Sequence, residues 1–258
     1  MGSTRHAPFV KVGAAADLPR LAAEAAGLAM LRATGAVRVP AVHACTVVDG
    51  QGRLEIEFLD LCGLNRASGA LLGRQLADLH RHVGKRFGFG EDNWIGGSPQ
   101  LNGWRDEWPR FFADRRLRPQ LQWAVGNGMD KKLVDQGESL AERLAAFFVD
   151  YHPQPSLLHG DLWGGNASAL PDGTPVIFDP AVYYGDRETD VAMSELFGGF
   201  PESFYAAYRT AWPLDPGYEI RKTLYNLYHV LNHFNLFGAG YLGQARRMTG
   251  RLLAELRG

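Results

Sequence analysis

The segment His159-Gly160-Asp161-Leu162-Trp163-Gly164-Gly165-Asn166 sets a carboxylate and a carboxamide five residues apart, and Asp179 closes the apolar run Val176-Ile177-Phe178 thirteen residues beyond Asn166. One free carboxylate, one carboxamide and a second carboxylate at these intervals suit phosphoryl transfer. Asp161 would orient and deprotonate an alcohol. Asn166 and Asp179 would hold magnesium, a hard cation that takes oxygen ligands and only one or two carboxylates beside phosphate. His-Gly-Asp alone is a common turn sequence, because glycine reaches positive φ and aspartate makes side-chain turns. The reading therefore rests on the whole set: Leu157-Leu158 ahead of the triplet, Asn166 behind it, and the β-branched run ending in Asp179.

The chain has 258 residues, long enough for one large domain or two lobes with a real core. Apolar residues make up 46% and charged residues 21%, as in ordinary soluble globular proteins. A net charge of −1 argues against broad electrostatic binding to nucleic acid or to an anionic membrane. The basic run Arg115-Arg116-Leu117-Arg118 is short and reads as a solvated face. The only cysteines, Cys45 and Cys62, have no metal-type spacing, which fits a reduced, cytoplasmic protein. The first residues lack an apolar signal core, and no run approaches the ~18 apolar residues of a spanning helix.

Pro8-Phe9-Val10-Lys11-Val12 alternates and predicts a strand. Asp17 is expected to cap a helix from Leu18 to about Thr34, with Leu21, Ala25, Leu28 and Leu31 on its apolar face and Gly35 at its end. A second β region is expected over Val37–Val42. Cys45–Val48 and Leu54–Leu59 then flank Asp49-Gly50-Gln51-Gly52 as a hairpin. Beyond a strap near Glu57–Gly63, a helix is expected from Ser68 to His82, an ordered loop over 88–103, and helices near 104–118, 130–150, 188–197, 201–211 and 218–237. The fold class is α+β and bilobal: a small β-rich lobe over residues 1–63 and a mainly helical lobe over residues 64–258, with a nucleotide in the cleft between.

Phosphoryl transfer also needs a cation on the phosphates and an anion to hold that cation. Lys11 in the first strand and Glu24 in the next helix stand in the order that such an ion pair requires. With these residues added, the chain resembles the fructosamine kinase (ketosamine 3-kinase) family within the aminoglycoside-phosphotransferase and protein-kinase-like superfamily. The resemblance runs from Phe9-Val10-Lys11 and Glu24–Leu28 through Asp92-Asn93-Trp94-Ile95-Gly96 and Trp104. It is strongest in His159–Asn166, Phe178-Asp179-Pro180-Ala181 and Tyr183-Tyr184-Gly185-Asp186, and it ends with Leu196–Phe200 and Leu227–His233. It implies a protein-kinase-like fold and ATP-dependent phosphorylation of a sugar hydroxyl on a ketosamine or glycated lysine, a deglycation repair. It assigns Asp161 as base, Asn166 and Asp179 to Mg2+, Lys11 to the phosphates, Glu24 to Lys11, and the backbone of Glu57 and Leu59 to adenine.

The family places a glycine-rich phosphate hairpin before the Phe-Val-Lys strand. Gly2 is the only glycine ahead of Phe9, so a truncated first lobe without that loop is expected, and with it a monomer. Trp163 is expected either to stack on a sugar face or to serve the core. His229, Asn232 and His233 share a helix face that either meets a polar substrate or makes an interhelix contact. A zinc site at His229 and His233 lacks an evident third ligand. His80 reads as a core histidine, and Asp186 and Asp190 as caps of the helix that follows them. An aminoglycoside- or choline-type kinase and a binding-only homologue are the alternative functional readings.

Overall fold

Residues 7–257 are described by a computed structural model. Strands β1 (Phe9–Ala14), β2 (Val42–Val48) and β3 (Gln51–Ile56) form an antiparallel sheet in the order β1-β3-β2. The hairpin turn is tighter than its glycine-rich sequence suggests. Asp49 and Gly50 carry φ of 51° and 75°, the two left-handed positions of a two-residue turn whose twist matches the strands. Strand β3 therefore starts at Gln51 and ends at Ile56, three residues short of the expected Leu59. Gly52 lies opposite Gly13 in the ladder, where a Cβ on Gly52 would come within 3.1 Å of the Ala14 carbonyl.

Helix α1 (Leu18–Ala33) buries Leu21, Leu28 and Leu31 beneath this sheet, and Gly35 leaves it at φ 65°. Asp17 does not cap α1 through its side chain. Its carboxylate accepts the Ala14 N–H at 2.9 Å and closes a 3-10 turn over Ala15–Asp17. The β region expected over Val37–Val42 reduces to one bridge between Arg38 and Val176, because Pro40 has no N–H to donate and the ladder starts at Val42. The expectation about a phosphate hairpin ahead of Phe9 falls mainly on residues 1–6, outside the described residues.

Helix α2 (Arg66–His80) starts two residues before the expected Ser68. Asn65 accepts the N–H groups of Ala67 and Ser68, and Ser68 Oγ accepts the Asn65 N–H, a reciprocal cap. Within the stretch read as loop, β4 (Asn93–Ile95) and β5 (Ser98–Gln100) form a hairpin around Gly96-Gly97. Buried amides fix it: Asn93 Nδ2 donates to the Val182 carbonyl at 2.8 Å, and Gln100 Nε2 to that of Ala181 at 3.0 Å. Helices α3 (Trp108–Phe112) and α4 (Arg118–Gly126) are joined by a π-helical turn over Ala113–Leu117. That wide turn accommodates Pro119, which lacks a donor and would crowd a regular preceding turn, so the helical run passes its expected end at 118. Helix α5 (Lys131–Glu142) ends in a 3-10 turn over Leu144–Phe148.

Two short ladders frame the central loops: β6 (Ser156–Leu158) with β9 (Tyr183–Gly185), and β7 (Ala167–Ala169) with β8 (Pro175–Ile177). Helices α6 (Glu188–Leu196), α7 (Glu202–Ala211) and α8 (Tyr218–Phe237) follow the sequence reading closely. Helix α9 (Leu242–Glu255) was not expected. It buries Ala245, Thr249, Leu252 and Leu253, while Arg246, Arg247 and Arg251 are exposed. Among the described residues no helix is long and apolar enough to cross a membrane.

Helices α2 and α7 cross closely because α2 presents Gly69 and Gly73 to α7. A Cβ on Gly73 would lie 2.3 Å from the Phe204 carbonyl oxygen. Gly73→Ala is therefore expected to cost about 1–3 kcal/mol despite the better helix propensity of alanine. An unchanged urea midpoint would show that the two helices can separate freely.

Candidate active site

Strand β6 is wholly buried and delivers the loop that begins at His159. Asp190, in the first turn of α6, fixes the loop's backbone: Oδ2 accepts the His159 N–H at 2.7 Å and Oδ1 accepts the Gly160 N–H at 2.9 Å. His80 on α2 meets Asp190 Oδ2 through Nε2 at 3.1 Å and Tyr208 OH on α7 through Nδ1 at 2.8 Å. Burial lowers the pKa of His80, so the neutral ring donates from Nε2 to the carboxylate. Burial opposes the charge of Asp190, yet the hydrogen bonds from His80 and from the loop amides hold its pKa below the ordinary value. Asp190 is thus no helix cap; it reaches back to the loop. His80 is buried as expected, and it is also part of the loop's support.

Gly160 sits at φ 83°, and a Cβ there would come within 2.0 Å of the Ala181 carbonyl oxygen. Only glycine satisfies both constraints. His159 Nε2 lies 3.0 Å from the Phe178 carbonyl, and its Nδ1 accepts the Asp161 N–H at 3.3 Å. One neutral imidazole therefore ties this loop to the end of the apolar run that carries Asp179. Asp179 itself has φ 56°, a conformation uncommon for a residue with a side chain.

Asn166 Nδ2 donates to the Asp161 carbonyl at 2.9 Å and to Asp161 Oδ2 at 3.2 Å, and lies 3.5 Å from the Asp179 carbonyl. Burial pushes the Asp161 pKa up to about 7; the Asn166 amide opposes this and the Asp179 charge adds to it. Lys11 Nζ lies 2.7 Å from Glu24 Oε1 and 2.5 Å from Asp179 Oδ1. Burial alone would lower the Lys11 pKa, but the two carboxylates outweigh it and raise the pKa.

Lys11 and Asp179 stand where two clefts adjoin. A polar cleft of about 230 Å³ is lined by Arg20, Glu24, Trp94, Asp161, Trp163 and Asn166. A cleft of about 290 Å³ beside it is lined by Phe9, Pro40, Ile56, Glu57, Leu59 and Phe178. Glu57 N–H is already donated to the Ala41 carbonyl at 2.7 Å, and its carboxylate binds Arg38 at 2.5 Å and the Ala41 N–H at 3.0 Å. Of the groups expected at the strap, the Glu57 N–H is therefore spent.

Trp163 is 38% exposed in the polar cleft, its ring 6.2 Å from that of Phe197. His233 packs on Phe197 at 4.7 Å, so it adjoins this wall without lining the polar cleft. Asn232 turns to α4, where its Oδ1 accepts from Gln120 Nε2 at 3.1 Å: an interhelix contact. His229 is buried, with no partner for Nδ1 among the described residues, and burial pushes its pKa down to about 3. Among the described residues no cluster of three or more His, Cys, Asp or Glu could hold a metal, which leaves the zinc reading of His229 and His233 without its third ligand. Two oxygen donors, from Asn166 and Asp179, do suit a magnesium ion that keeps phosphate and water as its other ligands.

No motif in the sequence marks Arg20 or Trp94 as a site residue. Arg20 precedes Glu24 by four residues, which places both on one face of α1. Trp94 is carried by the hairpin read as loop.

A small sheet with a Lys–Glu pair, a cleft beneath it and an Asp-Asn-Asp set on a helical lobe define a phosphotransferase of the protein-kinase-like class. The fructosamine kinase family model matches residues 1–255. A ketoamine kinase candidate of Synechocystis sp. is 45% identical over 249 residues, covering 95% of this chain and 82% of its own. The ketosamine-3-kinase of Mus musculus is 38% identical over 273 residues, covering 95% and 87%. The crystal structure of a fructosamine-3-kinase candidate from Haemophilus somnus superposes with a TM-score of 0.88 at 32% identity, covering 95% of this chain and 83% of that one. The chain belongs to the fructosamine kinase family.

Two outcomes are expected of this geometry. Asp190→Asn, which leaves one loop N–H without its acceptor, should lower stability by about 1–3 kcal/mol, read from the urea midpoint. The raised pKa of Asp161 means that the folded state holds a proton which the unfolded chain releases above its ordinary range near 4. That contribution is complete below about pH 4 and is lost as pH rises through about 7. Asp161→Asn should therefore raise Tm at pH 8, with the gain shrinking towards pH 4; an equal shift at both would place Asp161 in water.

Proposed function

We propose that the chain transfers the γ-phosphoryl group of ATP to the 3-hydroxyl of a fructosamine or related ketosamine. The observation that carries this reading is the half-buried Asp161 facing a polar cleft that also holds Lys11, Arg20, Asn166 and Asp179. Asp161 accepts the proton of the sugar hydroxyl while that oxygen attacks phosphorus, and ADP leaves with the electron pair of the broken P–O bond. Lys11, oriented by Glu24, and Arg20 hold phosphate oxygens in line. Asn166 and Asp179 would hold Mg2+, which neutralises charge on the transferring group when bound. The cleft of Phe9, Ile56, Leu59 and Phe178 receives the adenine, with the strap supplying backbone groups. In this reading residues 1–63 form the nucleotide lobe and 64–258 the catalytic and substrate lobe, and the enzyme acts as a cytoplasmic monomer in deglycation repair.

The test is ADP release from magnesium-ATP and 1-deoxy-1-morpholinofructose. Turnover is expected from this chain, and a loss of about 10²–10⁴-fold in Asp161→Asn. A variant that keeps near-full turnover would remove Asp161 from the role of base. A base must be unprotonated to accept the proton. At limiting substrate the rate should therefore rise about tenfold per pH unit below 7 and level off above it, since burial places the Asp161 pKa near 7. A limb near pH 4 would contradict that assignment.

A further inference from the structure

Beside the polar cleft lies a run of rings that the phosphoryl transfer does not use and of which Tyr241 alone packs on the core. Trp163 meets Phe197 edge-on at 6.2 Å, Phe197 meets His233 at 4.7 Å, and His233 meets Phe237 at 5.4 Å and Tyr241 at 5.1 Å. The five rings form one continuous run from the loop of Asp161 to the end of α8. Phe237 is 67% exposed and its neighbour Leu236 38%. A half-buried run with exposed rings at Trp163 and Phe237, in a chain with ample core, marks a binding surface.

The opposite side of the mouth is the turn of the β4–β5 hairpin. Gly96 lines the polar cleft, and a Cβ on Gly96 or Gly97 would stand 3.8 Å or 3.5 Å from Leu236. The way out of the cleft, between Trp94-Gly96 and Trp163, therefore leads onto the α8 patch. Burial lowers the His233 pKa, so the ring is neutral at physiological pH and adds no positive charge to the run.

Resting on the function proposed above, we infer that the rings of Trp163, Phe197, His233, Phe237 and Tyr241 form a subsite for the amine-side substituent of the ketosamine. A ketosamine joins its sugar to a protonated secondary amine that carries a second group. With the sugar hydroxyl at Asp161, that group has to leave through the mouth. Aromatic faces attract the ammonium, and their apolar area suits an alkyl or aryl body beyond it. The subsite thus selects amines with an apolar substituent over bare or small ones.

The experiment compares KM for N-benzyl- and N-methyl-fructosamine in the parent, Phe237→Ala and Phe237→Trp, with kcat recorded for each. Phe237 is largely exposed at a helix end, so both variants should fold. The parent should show the lower KM for the benzyl substrate. Phe237→Ala should reduce that preference roughly five- to tenfold, the scale of one aromatic contact, with kcat on the benzyl substrate within about twofold of the parent. Phe237→Trp should restore it. Turnover of both substrates with a KM ratio unmoved by Phe237→Ala overturns the subsite and leaves the kinase reading standing. The same unmoved ratio together with concentration-dependent mass in light scattering would assign the patch to a second copy of the chain. Absence of turnover on either substrate overturns both readings.

Discussion

A single carboxylate holds the centre of this molecule. Asp190 is 1% exposed, and its oxygens accept two loop N–H groups and an imidazole N–H. A buried charge is tolerated only where its lone pairs are met, and here backbone and imidazole donors meet them within the protein. Because those donors belong to His159 and Gly160, the requirement fixes the backbone immediately ahead of Asp161. Because the imidazole belongs to α2 and its other nitrogen meets Tyr208 of α7, two further helices share the constraint. Arg187 extends it, donating to Tyr208 OH at 3.1 Å. The helices are thus fixed on the active loop as much as on one another.

From that anchor the order spreads by way of His159. Its ring spans to the Phe178 carbonyl and sets the start of the segment in which Asp179 takes its left-handed conformation. Asp179 then meets Lys11 from the other lobe. The two aspartates of the site have different surroundings: Asp179 faces an ammonium group, whereas Asp161 is half-buried against an amide. Environments that differ in this way suit the two carboxylates to different tasks.

The sequence was most legible where local chemistry and position coincide. The order of Lys11 on a strand and Glu24 on the next helix predicts their pairing, and they lie 2.7 Å apart. Asp161 and Asn166 were grouped by a five-residue interval, and one hydrogen bond links their side chains. The helical lobe followed from apolar periodicity as far as Phe237. What stayed hidden depended on distance along the chain. Asp190 stands in the first turn of a helix, where aspartate commonly caps, and its partners lie 30 and 31 residues upstream. Asn93 and Gln100 sit among glycines that read as loop, and the acceptors that order them are the carbonyls of Val182 and Ala181. Helix α9 shows its burial at Ala245, Thr249, Leu252 and Leu253, a helical period that its arginines obscure in a residue-by-residue reading.

The glycines of the active loop show how tightly its interval is constrained. Gly160 permits the turn beside Ala181; Gly165 has another task, since a Cβ there would come within 2.3 Å of the Trp163 ring. Removing that Cβ lets the indole lie back over its own loop and present a face to the cleft while Asn166, the next residue, turns inward to Asp161. A side chain at 165 would have to displace either the aromatic wall or the amide, so the Trp163 wall and the Asp161–Asn166 pair share one backbone path. Altering the wall by changing this loop would disturb Asp161. The far end of the wall, on α8, is free of that coupling, and in the subsite proposed above variation there changes which amine is accepted without moving Asp161.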